Sequence, residues 1–127
     1  MKRFPSVRKT ADYQAVYKKG RSQATGLLVM YLLKNGRETN RLGISVGKKV
    51  GNSVVRHTFA RKIREIFRLS KEQTVQGYDI IIVARNQQAG SVSYQQLERD
   101  YKKLLVRHGI FVETAEKEAE RETPVSY

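Results

Sequence analysis

Between Arg56 and Arg68 the chain places five Arg or Lys residues in thirteen positions, four of them arginines, against one acid, Glu65. Wound at about 100° per residue, His57, Arg61, Arg64 and Arg68 fall in one narrow stripe. The chemistry open to such a row is anion binding, because a guanidinium is a planar fork of donors that matches phosphate oxygens in pairs. Like charges at these spacings repel and cost helix stability, and a polyanion crossing the face offsets that cost. A solvated face is the plainer reading of a charge run, but such a face normally mixes its signs. Upstream, Gly47 and Gly51 flank Lys48 and Lys49, with Asn52 and Ser53 next. Glycines let a backbone approach a ligand, and a helix N-terminus turns free N–H groups toward an anion. A plain strand-to-helix turn capped by Asn52 or Ser53 fits the same residues.

Hydrolytic chemistry has poorer candidates. It normally needs clustered carboxylates for metal ions or histidines for proton transfer. Ahead of Glu113 the acids are Asp12, Glu38, Glu65, Glu72, Asp79, Glu98 and Asp100. Only Glu98 and Asp100 stand close, and a solvated helix explains them. His57 lies inside the basic stripe, and His108 falls at a helix C-terminus, where the dipole favours a cation. Lys48-Lys49-Val50-Gly51-Asn52 is no phosphate loop, since its lysines precede the glycine. No catalytic residue and no metal ligand is assigned.

The net charge of the 127 residues is +13 with a pI near 10.2, which makes nucleic acid the default partner. Without cysteine there are no disulfides or thiolate metal sites, which fits a reducing compartment. No apolar run reaches membrane-spanning length, and MKRFPSVRK lacks a signal-peptide core, so a cytoplasmic protein without a membrane partner is expected. Residues 113–127 hold five glutamates against Lys117 and Arg121, leaving 23 basic and 7 acidic residues before them. The expected organisation is one RNA-binding domain over 1–112, with a basic arm at 1–9, and an acidic disordered tail over 113–127.

The elements that must position these residues follow from periodicity. Thr10 is a candidate N-cap for a helix from Ala11 to Lys19, closed by Gly20, with Tyr13, Val16 and Tyr17 on one side. Two readings of the tyrosines fit: core residues, or ring faces offered to bases at a groove edge. GLLVMYLLK (Gly26 to Lys34) reads as a buried strand and RLGISVG (Arg41 to Gly47) as its return across an Asn35-Gly36 turn. A helix from about Ser53 to Ser70 buries Val55, Phe59, Ile63 and Ile66. Asp79 to Ala84 is an internal strand, and Ser93 with Gln96 forms a capping box for a last helix with Leu97, Tyr101, Leu104 and Leu105 inward. The fold class is α+β, a mixed α/β sandwich of one small sheet and helices. Its order is α-β-β-α-β-α, with room for another short strand before the Tyr31 run or after the last helix.

KKVGNSVVR followed by an arginine-rich helix resembles the signature of the protein subunit of bacterial ribonuclease P. DYQAVYKKG, VMYLL, RLGISVGKKVGN and YDIIIVAR stand in that family's order and spacing. The resemblance implies a protein that assists a catalytic RNA in removing the 5′ leader of precursor tRNA. The RNA would supply the active site and bind most of the Mg²⁺, with no organic cofactor. The resemblance also implies a left-handed β-α-β crossover, against the general rule. It assigns Lys48, Lys49, Asn52, Arg56, His57, Arg61, Lys62, Arg64 and Arg68 to the catalytic RNA. Tyr13, Tyr17 and Tyr31, with Lys49 and Asn52 at the rim, line a cleft for the leader. The partners implied are the RNA subunit and precursor tRNA, with no obligate protein partner.

One departure stands out. The family usually reads Arg-Asn-Arg at the helix start and Lys-Arg two residues later. This chain has Arg56-His57-Thr58 and then Ala60-Arg61. Two lost phosphate contacts would flatten the salt dependence by about 1.8 on the duplex coefficient, with Lys62 an added cation on the far edge of the helix. The alternatives are a ribosome-type structural RNA-binding protein, in which Tyr13 and Tyr17 are fully buried, and a protein-only nuclease, which needs a carboxylate cluster.

Overall fold

The computed structural model describes residues 5–113. The expected acidic tail beyond Glu113 and the first four residues of the arm lie outside them. In chain order the elements are α1 (Thr10–Lys19), β1 (Arg21–Ala24), β2 (Leu28–Lys34), β3 (Arg41–Ser45), α2 (Ser53–Leu69), β4 (Tyr78–Ala84) and α3 (Tyr94–Arg107). The four strands form one mixed sheet in the order β1-β2-β4-β3. β2 runs antiparallel to both β1 and β4, while β3 runs parallel to β4. A parallel neighbour needs a crossover rather than a hairpin, and α2 supplies it.

The period-2 pattern of the strands divides the sheet. Leu28, Met30, Leu32, Leu42, Ile80, Ile82 and Ala84 face one way and pack with Phe59, Ile63 and Ile66 of α2 and Leu97, Tyr101 and Leu104 of α3. Each such large side chain, fully buried, contributes about 1.5–3 kcal/mol. The opposite face carries α1. There Asp12 pairs with Arg41 at 3.5 Å, Tyr13 lies on Gly43, and Tyr17 lies on Tyr31.

Several expectations need correction. β3 does not return beside β2, because β4 lies between them and pairs with both; the further short strand before the Tyr31 run is present as β1, which pairs Ser22 with Tyr31 and Ala24 with Val29. Thr10 is the first helical residue, and Lys9 occupies the cap without a side-chain bond. Gly20 closes α1 at an ordinary φ of −77°. It is required instead by space, since a Cβ there would meet the Val16 and Leu32 carbonyl oxygens at 2.5 and 2.7 Å. Ser93 accepts from Gln96 N at 3.1 Å, but the Gln96 side chain turns forward to Asp100 rather than back, so only half the capping box forms. Asp100 is buried and accepts from Thr25 Oγ1 at 2.7 Å, so it is a core anchor rather than a solvated acid. His108 is likewise buried, with Nε2 2.9 Å from the Met30 carbonyl. Because a carbonyl only accepts, Nε2 carries the proton of a neutral ring.

Candidate nucleic-acid interface

α1 packs on this face against β2 and β4. It covers the rows containing Arg41 and Gly43 and leaves the next one, Ser45–Val83–Val29–Ala24, half-buried or exposed. That uncovered row, about 14 Å long across four strands and bordered by α1, is the candidate groove. Exposed Lys48 and Lys49 stand at its β3 end, in the turn that opens α2. By strand alternation Arg85, exposed just past β4, belongs to the same face as Ile81 and Val83. Nothing in the sequence marks it, because YDIIIVAR reads as a strand followed by a polar loop.

Tyr17 is 41% exposed and meets Tyr31 edge to face, with centroids 4.9 Å apart. Partial burial pushes its phenol above the ordinary value, opposed by a hydrogen bond with Ser45, so the hydroxyl stays protonated at neutral pH. Tyr13 is half-buried, its hydroxyl oxygen accepting from Ile44 N at 3.3 Å. The three tyrosines therefore come together in a ladder that is neither solvent-exposed throughout nor core.

On α2 the stripe of His57, Arg61, Arg64 and Arg68 is exposed at every position. Arg68 already holds Glu65 through two bonds, at 2.6 and 3.2 Å. Arg64 lines a cleft of about 180 Å³ with Ser6, Val7, Tyr13, Leu42 and Ile44. The basic stripe and the aromatic ladder thus share a wall at Tyr13. The remaining sequence candidates are placed differently. Lys62 turns away from the stripe and donates to the Val92 carbonyl at 3.3 Å, so it does not replace a lost cation there. Arg56 is half-buried, with Nε enclosed. Asn52 spends its Oδ1 on Val55 N at 3.0 Å, as the N-cap of α2. Gly51 lacks a Cβ for the sake of Val55, whose Cγ1 would lie 2.7 Å from one, while Gly47 has open space around it.

Among the described residues no three His, Asp or Glu side chains gather closely enough to hold a metal ion.

The model of the ribonuclease P family matches residues 1–109. The chain belongs to the ribonuclease P protein family. It is 47% identical over 98 residues to the ribonuclease P protein component of Alkaliphilus oremlandii, covering 77% of this chain and 85% of that one. The Clostridium kluyveri component is 41% identical over 107 residues, covering 83% and 95%. The Staphylococcus aureus RNase P protein superimposes with a TM-score of 0.78 at 37% identity, covering 86% of this chain and 99% of that one. The Thermotoga maritima protein gives 0.74 at 30%, covering 80% and 96%. The chain is thus the protein subunit of an endoribonuclease ribonucleoprotein of tRNA processing. Ala60 is only 9% exposed and borders the core. No helix among the described residues is long and apolar enough to cross a membrane.

Proposed function

We propose that the groove holds the single-stranded 5′ leader of precursor tRNA while the α2 stripe seats on the ribonuclease P RNA. The observation that carries this reading is Tyr17, 41% exposed above Tyr31 in a groove with lysines at its mouth. A tyrosine that only filled the core would be buried like Tyr101, which is fully enclosed. That difference supports the leader reading over a structural RNA-binding protein of the ribosomal type. An exposed aromatic face stacks bases without sequence preference, worth about 1–3 kcal/mol per base. Lys48, Lys49 and Arg85 supply the electrostatic funnel for the phosphates. Arg61 and Arg64 bind backbone phosphates of the RNA subunit in pairs of hydrogen bonds. The protein positions and neutralises, and the bond-breaking chemistry, with its Mg²⁺, belongs to the RNA.

The test is cleavage of a 5′-extended precursor tRNA by ribonuclease P RNA at low Mg²⁺, with and without the protein. Cleavage at the mature 5′ end only when both are present is expected. Tyr17→Ala with Tyr31→Ala should raise KM for substrates with a leader and spare binding of the RNA subunit. Stimulation by the double variant equal to wild type for leader-bearing substrates would refute the groove assignment.

A further inference from the structure

A second row of cations lies on the flank of the sheet opposite the α2 stripe. Arg99, Lys103 and Arg107 follow one another at four-residue spacing along α3, each about 6 Å further along the axis, and all three are exposed. Lys102 lies on the neighbouring strip of the helix, where Glu98 stands 4.0 Å from it. Three like charges in a row repel, and α3 retains them although its packing against the sheet uses other residues. Two of the three guanidinium or ammonium heads are not free to wander. Arg107 Nη1 donates to the Ala24 carbonyl, and Arg99 Nη2 donates to Gln96 Oε1 at 2.9 Å.

The position of Arg107 gives the row its meaning. Ala24 is the residue at which the groove leaves the sheet, at the β1 edge. Next to it Arg85 Nη1 donates to the Thr25 carbonyl at 2.6 Å. Two guanidiniums therefore grip adjacent carbonyls at the groove exit, one from each side of the edge. From that corner the positive track runs on through Lys103 to Arg99 without an acid facing it along the row. We infer that the α3 flank binds the distal part of a long leader. A strand leaving the groove at Ala24 bends round the β1 edge and lays its phosphates along Arg107, Lys103 and Arg99. This rests on the groove reading above, since continuity with the groove is what selects the leader over other RNA. Bases need no readout there, because the row offers charge and no aromatic platform.

The experiment uses the reconstituted holoenzyme and precursor tRNAs whose leaders are about four and about sixteen nucleotides long, the span of single-strand site sizes. The variant is Arg99→Gln with Lys103→Gln, which leaves the strand contact of Arg107 in place, and circular dichroism with a thermal melt verifies its fold. Wild type should bind the long leader more tightly than the short one, and the variant should lose that gain. Two lost single-strand contacts flatten the salt slope by about 1.4. Raising salt fourfold should then weaken wild-type binding of the long leader roughly sevenfold more than it weakens the variant. Equal long-to-short ratios for the two proteins overturn the inference. So does a variant that loses affinity for the RNA subunit regardless of leader length, which would give the row to that RNA instead. Failure of the groove itself reads differently: Tyr17→Ala with Tyr31→Ala would then leave both leaders unaffected.

Discussion

The ring of Tyr13 occupies the space a side chain on Gly43 would need. A Cβ at Gly43 would lie 2.8 Å from the Tyr13 hydroxyl oxygen and 2.9 Å from Cζ. The contact fixes how far α1 sits above the sheet and therefore how wide the groove opens. Gly43→Ala should cost about 1–3 kcal/mol of stability, as overpacking does, and weaken leader binding. Adding Tyr13→Ala should return much of the stability, with a coupling of about 0.5–3 kcal/mol in a double-mutant cycle. Urea unfolding of the four proteins measures it, and additive costs would show that the ring is not the obstacle.

A second anchor of α1 is ionic. Arg41 holds Asp79 through Nε at 2.8 Å and Nη2 at 2.6 Å, and its Nη1 lies 3.5 Å from Asp12 on α1. Asn35 adds a bond to Asp79 at 3.0 Å. Asp79 is 5% exposed, so Arg41→Met strands a buried carboxylate and should cost about 3–5 kcal/mol. Arg41→Met with Asp79→Leu should be milder than Arg41→Met alone. A double variant no more stable than the single would mean that the pair, rather than the orphaned charge, carries the energy.

His108 makes stability depend on pH. Burial pushes its imidazole below the ordinary value, the bond to the Met30 carbonyl opposes this, and Arg21 nearby adds to the lowering. With a depressed folded-state value, the unfolded chain takes up the proton first as pH falls. This contribution is level above about pH 6.5, declines below it, and flattens beneath the folded-state value. His108→Gln retains a donor for Met30 and cannot titrate. Urea midpoints between about pH 5 and 7.5 should therefore fall more steeply with acid in wild type than in the variant. Parallel curves would remove His108 as the cause.

The α2 stripe should report itself through salt. Arg61→Gln with Arg64→Gln should flatten the salt dependence of RNA-subunit binding by about 1.8 on the duplex coefficient. Arg68→Gln should do less, because that guanidinium already serves Glu65. Glu65→Gln should tighten binding at low salt by releasing it. An unchanged slope in the Arg61/Arg64 variant would place the RNA contact elsewhere.

Where one periodicity dominated, the fold was legible from the chain. The bounds of α2 and its buried arc of Phe59, Ile63 and Ile66 emerge where the 3.6-residue pattern puts them, as do β2 and β4 within a residue or two. β1 was readable only as room for a short strand before the Tyr31 run, without bounds, because RSQA is exposed at all four positions and has no alternation to read. Its strand character comes from β2, not from its own residues. Asp100 and His108 read as surface groups because their partners, Thr25 and Met30, are 75 and 78 positions away. At the site, the exposure of the α2 cations was readable, but the diversion of Lys62 to Val92 depends on where α3 begins. The α3 row was visible as spacing and was eclipsed by the apolar face of the same helix.

The short segment before α1 has an effect unrelated to RNA. Pro5 O accepts from Leu42 N and Val7 N donates to Leu42 O, both at 2.9 Å, while Tyr13 takes the next outward N–H, at Ile44. β3 is an edge strand, and an open edge is a template on which another chain can add a strand. Here the template is occupied from within. The other edge, β1, has four residues, all exposed and led by an arginine, which makes it a poor seed. A strand of another chain could add at the β3 edge only by first displacing Pro5, Val7 and the Tyr13 hydroxyl from it.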